Sequence, residues 1–368
     1  MNAQLPRWVD LGLIPLLNLI AAFVVAGLVV LAIGEDPIEA VEHILYGALG
    51  FGEGIGFTLF YATNFIFTGL CVAVAFHASL FNIGGEGQAY IGGLGVGLVC
   101  LTFDHYLPWW IIAPLAALGG AACGAAWATI PAYFQAKRGS HIVITTIMFN
   151  FLAASLMVYL LVNVLKVPGA MAPESRTFEE AGRLPKIDWF LDLFGQDIGG
   201  APANMSFFLA LLACVFVWAL IWRTRLGYEI RTFGANPTAA VYAGISPVKI
   251  TMVTMAISGA LAGMMALNPV MGDQNRMFLD IAGGAGFVGI AVALMGRAHP
   301  VGVVFASLLF GILYQGGAEL AFEMPAITRD MVVVIQGLVV LFAGALEFMF
   351  RPAVARIFAA LPARKAEA

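Results

Sequence analysis

Asn82, Glu86 and Gln88 stand close together in His77–Leu98, HASLFNIGGEGQAYIGGLGVGL, a stretch that is otherwise apolar and rich in glycine. Two amides and a carboxylate at this spacing could guide a small polar solute by hydrogen bonds. Backbone at membrane depth must satisfy its own hydrogen bonds, so a glycine-broken, polar segment there has to face protein or a water-filled cavity. Transporters build midplane sites from broken helices of this kind. The expected chemistry is passage of a small polar solute, with this stretch lining the route.

Asn64, Asn150 and Asn268 are further amides inside or at the edge of apolar runs. A buried amide left unpaired costs about 1–3 kcal/mol, so each needs a partner, and a bond to a neighbouring helix is the ordinary reason for any one of them. As a set with Asn82 and Gln88, and with Phe81, Phe149 and Phe287, they resemble a pocket for a flat, hydrogen-bonding solute. Glu86 has two readings: a complement to a helix dipole, or a place in the pathway. His77 and His141, near span ends, read as capping or solvated residues rather than metal ligands. Pro269, directly after Asn268, is expected to kink its helix.

Catalytic signatures are missing from the sequence. It has no G-x-x-x-x-G-K-[ST] phosphate loop, no His-Glu-x-x-His, no G-x-S-x-G and no Cys/His ligand spacing. Cys71, Cys100, Cys123 and Cys214 each sit in an apolar run and read as small fillers. Intramembrane ionisable residues, the mark of ion-coupled carriers, are reduced to Glu86 and Glu347. We therefore expect a transport subunit rather than an enzyme, without cofactor or metal of its own, and with its energy source on another chain.

The elements that must position these residues are membrane helices. The chain has 368 residues, 61% hydrophobic and 11% charged, and its mean hydropathy is +0.92. Soluble domains average about 25% charged residues, so composition alone indicates an integral membrane protein. Continuous apolar runs, rather than ten-residue alternation, exclude a barrel. The net charge of −4 gives no footprint for nucleic acid. The expected fold is an all-α integral membrane protein of about ten transmembrane helices, near 11–33, 56–80, 83–103, 108–134, 141–165, 204–222, 251–271, 281–296, 301–317 and 331–350. The first run is too long for the apolar part of a cleavable leader and reads as a span.

Charge then orients the spans. Arg7, Lys137, Arg138, Arg223, Arg225, Arg231, Lys249, Arg297, Arg351, Arg356, Arg364 and Lys365 fall on one side, which is cytoplasmic by the positive-inside rule, with both termini inside. Segment 34–55 is acidic, without Lys or Arg, and lies outside together with 166–203. Gly84-Gly85-Glu86-Gly87 is echoed by Gly283-Gly284-Ala285-Gly286, each opening a glycine-rich span, the first after a cytoplasmic turn and the second after an outer one. That is the relation of an inverted repeat, with halves near 55–165 and 250–350 inside one permease-like domain covering 1–368. Close packing of small-residue helix faces accounts for the same glycines.

The longest cytoplasmic link, 223–250, contains a capped mini-helix. Asn236 reads as the N-cap, Pro237 as the first helical residue and Gly244 as the stop, with Thr238 to Ala243 between. Two turns are not stable alone. The helix either rests on lipid headgroups or docks as a knob into a partner below the membrane.

At these motifs the sequence resembles the permease subunits of bacterial ABC importers in the branched-chain amino acid, simple sugar and nucleoside group, most closely the nucleoside branch. The residues that carry the resemblance are FHASLFNIGGEGQAYIGG (76–93), ITTIMFNF (144–151), RTFGANPTAAVYAGI (231–245), ISGALAGMMAL (257–267) and GFVGIAVALMGRAHPVGVV (286–304). The resemblance implies a permease in the bacterial cytoplasmic (inner) membrane that pairs with a second, homologous permease chain. It further implies a cytoplasmic ATPase, where ATP and Mg would bind, and an extracytoplasmic solute-binding protein. Arg231 and Gly234, Ala235, Asn236, Pro237, Ala239 and Ala240 would belong to the helix that couples to the ATPase; Phe81 to Gln88 would belong to the pathway. The implied activity is import of nucleosides or related nucleobase compounds by alternating access. A pentose-type sugar permease is the alternative, and an ion-coupled carrier a more distant one. The chain departs from many relatives at His141-Ile142, where they carry Asn-Glu, and at Val288, where they often carry a polar residue.

Overall fold

The computed structural model describes residues 6, 9, 13–193, 195, 197–342 and 351–360. Arg7, Glu347, Arg364, Lys365, the start of the first expected span and the end of the tenth lie outside the described residues. The elements in order are α1 (Ile14–Ile33), α2 (Pro37–Leu49), α3 (Gly52–His77), α4 (Gly85–Phe103), α5 (Trp109–Arg138), α6 (Ile142–Leu160), α7 (Asp188–Asp192), α8 (Ser206–Arg223), α9 (Arg225–Ala235), α10 (Pro237–Tyr242), α11 (Pro247–Met265), α12 (Ala285–Met295), α13 (Pro300–Glu323), α14 (Arg329–Val340) and α15 (Arg351–Ala360).

Seven helical segments among the described residues are long and apolar enough to cross a membrane. A helix occupies each of the ten positions expected from hydropathy, but they are not equivalent. At 11 residues, α12 is about 16 Å long, roughly half the hydrocarbon thickness. Single turns of π-helix continue two of the spans, at Leu161–Leu165 after α6 and Asn268–Asp273 after α11. Pro269 lies in the second of these. A proline ring cannot sit over the carbonyl four residues back, so the wider turn lets the helix continue past it.

The chain forms two compact units. One comprises the described parts of Met1–Gly47 and Gly316–Ala368, where Gly316 packs on the Ile44 backbone and Gly317 on Val332. The acidic segment after α1 is helical here: α2 buries Ala40, Ile44, Gly47 and Ala48 at helical spacing while Glu39 and Glu42 point outward.

The other unit, Ala48–Gln315, holds the functional residues. Its centre is a near-backbone contact of α5 with α11, in which Gly120 and Gly124 meet Gly259 and Gly263. Small residues let helices approach closely where no hydrophobic force drives them together. Against that pair lies α4, with Gly92 on Gly263 and Gly95 on Gly119.

The ends of this unit differ. At one end, the Arg138 end of α5, α9, α10, the start of α11 and the α12–α13 turn come together. At the other, the end of α4 meets the 166–203 segment, where Arg176 grips Asp104 in a two-pronged ion pair at 2.7 and 2.8 Å. Ser175 N–H donates to Met277 O and Leu184 N–H to Met271 O, fastening this segment to the chain after α11.

Candidate functional site

Two irregular segments dip into this unit from its opposite ends. Residues 78–84 leave α3 at the α9–α10 end and lead inward to α4. Residues 274–284 leave the π-turn after α11 at the Asp104 end and descend beside α4, where Met277 lies against Gly97, Ile281 against Gly93 and Gly284 near Glu86. The two glycine echoes therefore face each other. A Cβ on Gly286 would collide with the Glu86 amide, so glycine there permits backbone-to-backbone contact.

Glu86 lies in the first turn of α4 and is 6% exposed. Its carboxylate reaches across to α12 and accepts from Gly284 N–H (2.8 Å, Oε1) and Gly286 N–H (2.8 Å, Oε2). One carboxylate thus sits between the N-termini of two helices, α4 and the half-length α12, where both dipoles favour negative charge. The dipole reading of Glu86 holds, and the second dipole belongs to another helix 199 residues further along the chain.

Asn82 and Gln88 bond to each other. Asn82 Nδ2 donates to Gln88 Oε1 (2.9 Å), and Gln88 Nε2 donates back to Asn82 Oδ1 (3.1 Å). Asn82 also donates to Ser258 Oγ (2.8 Å) and accepts from Gly84 N–H (2.9 Å). Ser258 Oγ in turn donates to Cys71 O (2.7 Å). Asn150 of α6 spans the break in the other direction: it accepts from Gly87 N–H (2.9 Å) and donates to Ile83 O (2.9 Å). All three amides are buried. Asn82 and Asn150 close backbone groups that the broken helix leaves open, a requirement of non-helical chain at this depth.

Asn64 and Asn268 form a second, separate network toward the Asp104 end. Asn268 Nδ2 donates to Asn64 Oδ1 (2.8 Å) and to Phe60 O (2.8 Å), while its Oδ1 accepts from Asn204 Nδ2 (2.7 Å) and Ser206 Oγ (3.1 Å). Phe81 stacks on Phe76, ring centres 5.2 Å apart, and Phe149 meets Trp127 edge-on. Phe81 and Phe287 are 37% and 48% exposed, unlike the amides. The expected site residues are therefore not gathered into one pocket: the amides are bonded in two buried networks, Phe149 is partly buried, and Phe81 and Phe287 are open.

Several participants had no sequence signal of their own. Ser258 and Cys71 lie in apolar runs, and Cys71, read as a filler, has its sulfur 3.2 Å from Ser258 Oγ. Asn204 and Ser206 fall at a span edge. An aromatic group of Tyr61, Phe65, Phe310 and Tyr314 brings Tyr314 within 5.0 Å of Phe65 and 5.6 Å of Tyr61. Tyr90 donates to Asp280 Oδ1 at 2.6 Å. Only the mirrored spacing of the glycine tracts hinted that such distant segments would touch.

At the basic end, the mini-helix has the expected anatomy. Asn236 caps it, accepting from Ala239 N–H at 3.0 Å, and Pro237 is its first residue. Gly244 adopts φ +79°, and Ile245 N–H returns to Ala240 O, closing the helix with a left-handed stop. Ala240 and Ile245 anchor α10, while Val241 and Tyr242 are 53% and 89% exposed. The preceding helix, α9, was read only as link. Gly234 near its end touches the His77 carbonyl, and Ser79 Oγ donates to Gly234 O (2.8 Å). His77 Nε2 lies 3.1 Å from Ala298 O, and Trp222 contacts both His77 and His299. Residues 231–244 thus abut the point where the first re-entrant segment begins.

Comparison with known proteins agrees with this anatomy. Residues 54–344 match the family model described as branched-chain amino acid transport system / permease component. The chain is 34% identical to the glucose ABC transporter permease protein TsgB13 of Haloferax volcanii over 94% of this chain and 90% of the relative. It is 34% identical to the guanosine ABC transporter permease protein NupP of Bacillus subtilis, over 92% and 95%. It is 32% identical to the nucleoside ABC transporter permease protein NupB of Lactococcus lactis, over 86% and 85%. The latter two organisms each hold a second, more distant relative, 26% and 27% identical. No solved structure gives a significant match. With nearly four-fifths of its length inside the family model, this multi-pass helical chain belongs to the branched-chain amino acid transport system permease component family, the membrane subunits of ABC transporters.

Proposed function

We propose that this permease imports nucleosides or related nucleobase compounds across the cytoplasmic membrane by alternating access, with both termini inside. The observation that carries the alternating-access reading is the meeting of two helix N-termini, those of α4 and the short α12, reached by irregular segments from opposite ends, at Glu86. Such a pair places an irregular, glycine-lined segment on each side of the midplane, as inverted-repeat transporters do. Repeat halves near 55–165 and 250–350 within a single permease domain follow from that arrangement. The nucleoside and guanosine relatives support the substrate class. The glucose relative, equally similar, supports a simple-sugar substrate as the second reading.

The partners in this proposal are a second, homologous permease, a cytoplasmic ATPase that binds ATP and Mg, and an extracytoplasmic binding protein. Second permeases in two of the relatives' organisms support a heterodimer. The exposed face of α10 would seat on the ATPase. Arg231, Gly234, Ala235, Asn236, Pro237, Ala239, Ala240 and Gly244 would pass its motion to the turn at His77–Ser79. The ligand would move because the two states bind it differently. Phe81 and Phe287, whose faces are open, would contact solute, whereas Asn64, Asn82, Glu86, Gln88, Asn150 and Asn268 would shape the path from behind.

The test is uptake in vesicles holding the permease pair, ATPase and binding protein. Nucleoside uptake that requires ATP supports the proposal. Uptake driven by an ion gradient without the ATPase overturns it, and glucose uptake without nucleoside uptake moves the substrate to the second reading.

A further inference from the structure

Asp280 is an exposed carboxylate at an unusual depth. It belongs to the descending segment 274–284 and accepts the Tyr90 hydroxyl at 2.6 Å. Tyr90 lies fourteen residues before Asp104 along α4, so the pair sits about 21 Å from the Asp104–Arg176 clamp. A carboxylate at that depth is too costly to leave against lipid and faces a water-filled cavity or another chain. Its second oxygen, Oδ2, bonds to none of the described residues. Leu279, next to it in the chain, is 36% exposed.

We infer that Asp280, held by Tyr90, is a solute-contact point that recognises a vicinal diol. The inference rests on the proposed import function and names the part of the solute that is read. A carboxylate is an acceptor-only group with two oxygens, matched to two adjacent hydroxyl donors. The Tyr90 hydrogen bond fixes its rotamer and leaves Oδ2 and the remaining lone pair of Oδ1 for the ligand. A ribonucleoside and a free sugar share the vicinal diol, so one contact point serves either reading of the substrate. A free nucleobase and a 2′-deoxynucleoside lack it.

Asp280 itself favours a clean variant. Its φ of +60° is left-handed, a conformation that Asn and Asp both tolerate, so Asp280→Asn removes charge and one acceptor with little backbone change. The experiment measures ATP-dependent uptake of a ribonucleoside and its 2′-deoxy analogue by the reconstituted complex, unmodified and carrying D280N or Y90F, with assembly checked by size-exclusion chromatography. The binding protein is the same throughout, so any change in the riboside-to-deoxyriboside ratio arises in the permease. We expect the ratio to fall about tenfold in D280N, the size of one good hydrogen-bonded contact, and by less in Y90F, which loosens Asp280 without removing it. An unchanged ratio, or equal loss for both solutes, overturns the inference. So does failure of D280N to assemble, since Asp280 would then be a contact between chains. Absence of ATP-dependent uptake of both the ribonucleoside and glucose by the unmodified complex overturns the import function itself.

Discussion

At the residue scale, the intramembrane polar groups serve the backbone first. Glu86→Gln leaves a single acceptor oxygen for the two N–H groups of Gly284 and Gly286. One buried donor is then orphaned at a cost of about 1–3 kcal/mol. We expect a lower thermal midpoint in detergent, lower again for Glu86→Ala. Asn82→Ala strips partners from Gln88, Ser258 and Gly84 together and should destabilise more than Asn64→Ala, whose Oδ1 has a single described hydrogen-bond partner, Asn268. A triple variant of Asn82→Ala, Glu86→Gln and Gln88→Ala that assembles and transports normally would reduce this stretch to packing. Asp104 gives the pH dependence. Burial alone would raise its carboxyl, but the Arg176 guanidinium and the Glu179 N–H outweigh burial and hold it below the usual carboxylate range. Its stabilising effect is therefore complete above about pH 4 and is lost as acid carries the pH down through the lowered folded value. Proteolysis of segment 166–186 should be insensitive to pH between 5 and 8 in the native protein and faster throughout in Asp104→Asn. The sequence showed which polar residues were out of place, because an amide or carboxylate in an apolar run stands out. It did not show their partners, since Ser258 and Gly284 lie about 176 and 198 residues from theirs and no local pattern links them.

At the element scale, the chain announces helices whose signals are local and conceals those that depend on packing. Asn236, Pro237 and Gly244 carry the cap, first turn and stop of α10 in side-chain chemistry alone, and its bounds were readable to a residue. By contrast, α2 combines acidic residues with a buried stripe of small ones, and composition read it as an outer segment. The half-length of α12 was equally hidden, because the apolar run begins before the left-handed Gly283 and Gly284 that set the helix start. For α10, Asn236→Ala should cost about 1 kcal/mol of local helix stability. We expect it to lower the ratio of solute moved to ATP hydrolysed, measured in the same vesicles, while the complex still assembles. Scrambling 236–243 should abolish uptake; retained uptake removes the coupling role. A bulkier residue in the α5–α11 contact acts differently. Gly263→Val drives side-chain atoms into the Gly120 backbone, and we expect loss of folded protein on size-exclusion chromatography rather than a change in transport.

At the scale of the whole molecule, the two glycine tracts give the fold its opposed segments, one from each end. Their mirrored spacing was visible in the sequence; the contact between them was not. The expectation of an energy source on another chain rests only on what the sequence lacks, and the vesicle measurement with and without ATPase tests it directly. The bonds from Glu86 to Gly284 and Gly286 bear on how such a molecule can move. Two charge-assisted hydrogen bonds amount to about 3–6 kcal/mol, so contact between the two helix N-termini outweighs their separation by about a hundredfold or more. In the proposed motion their junction would act as a fulcrum, with the outer ends of α4 and α12 as the arms. On the proposed coupling, a tilt imposed at the His77–Ser79 turn would be felt beside Asp280, without any rod running between them. A cysteine pair clamping the far end of α4 to the 274–284 segment should consequently stop transport.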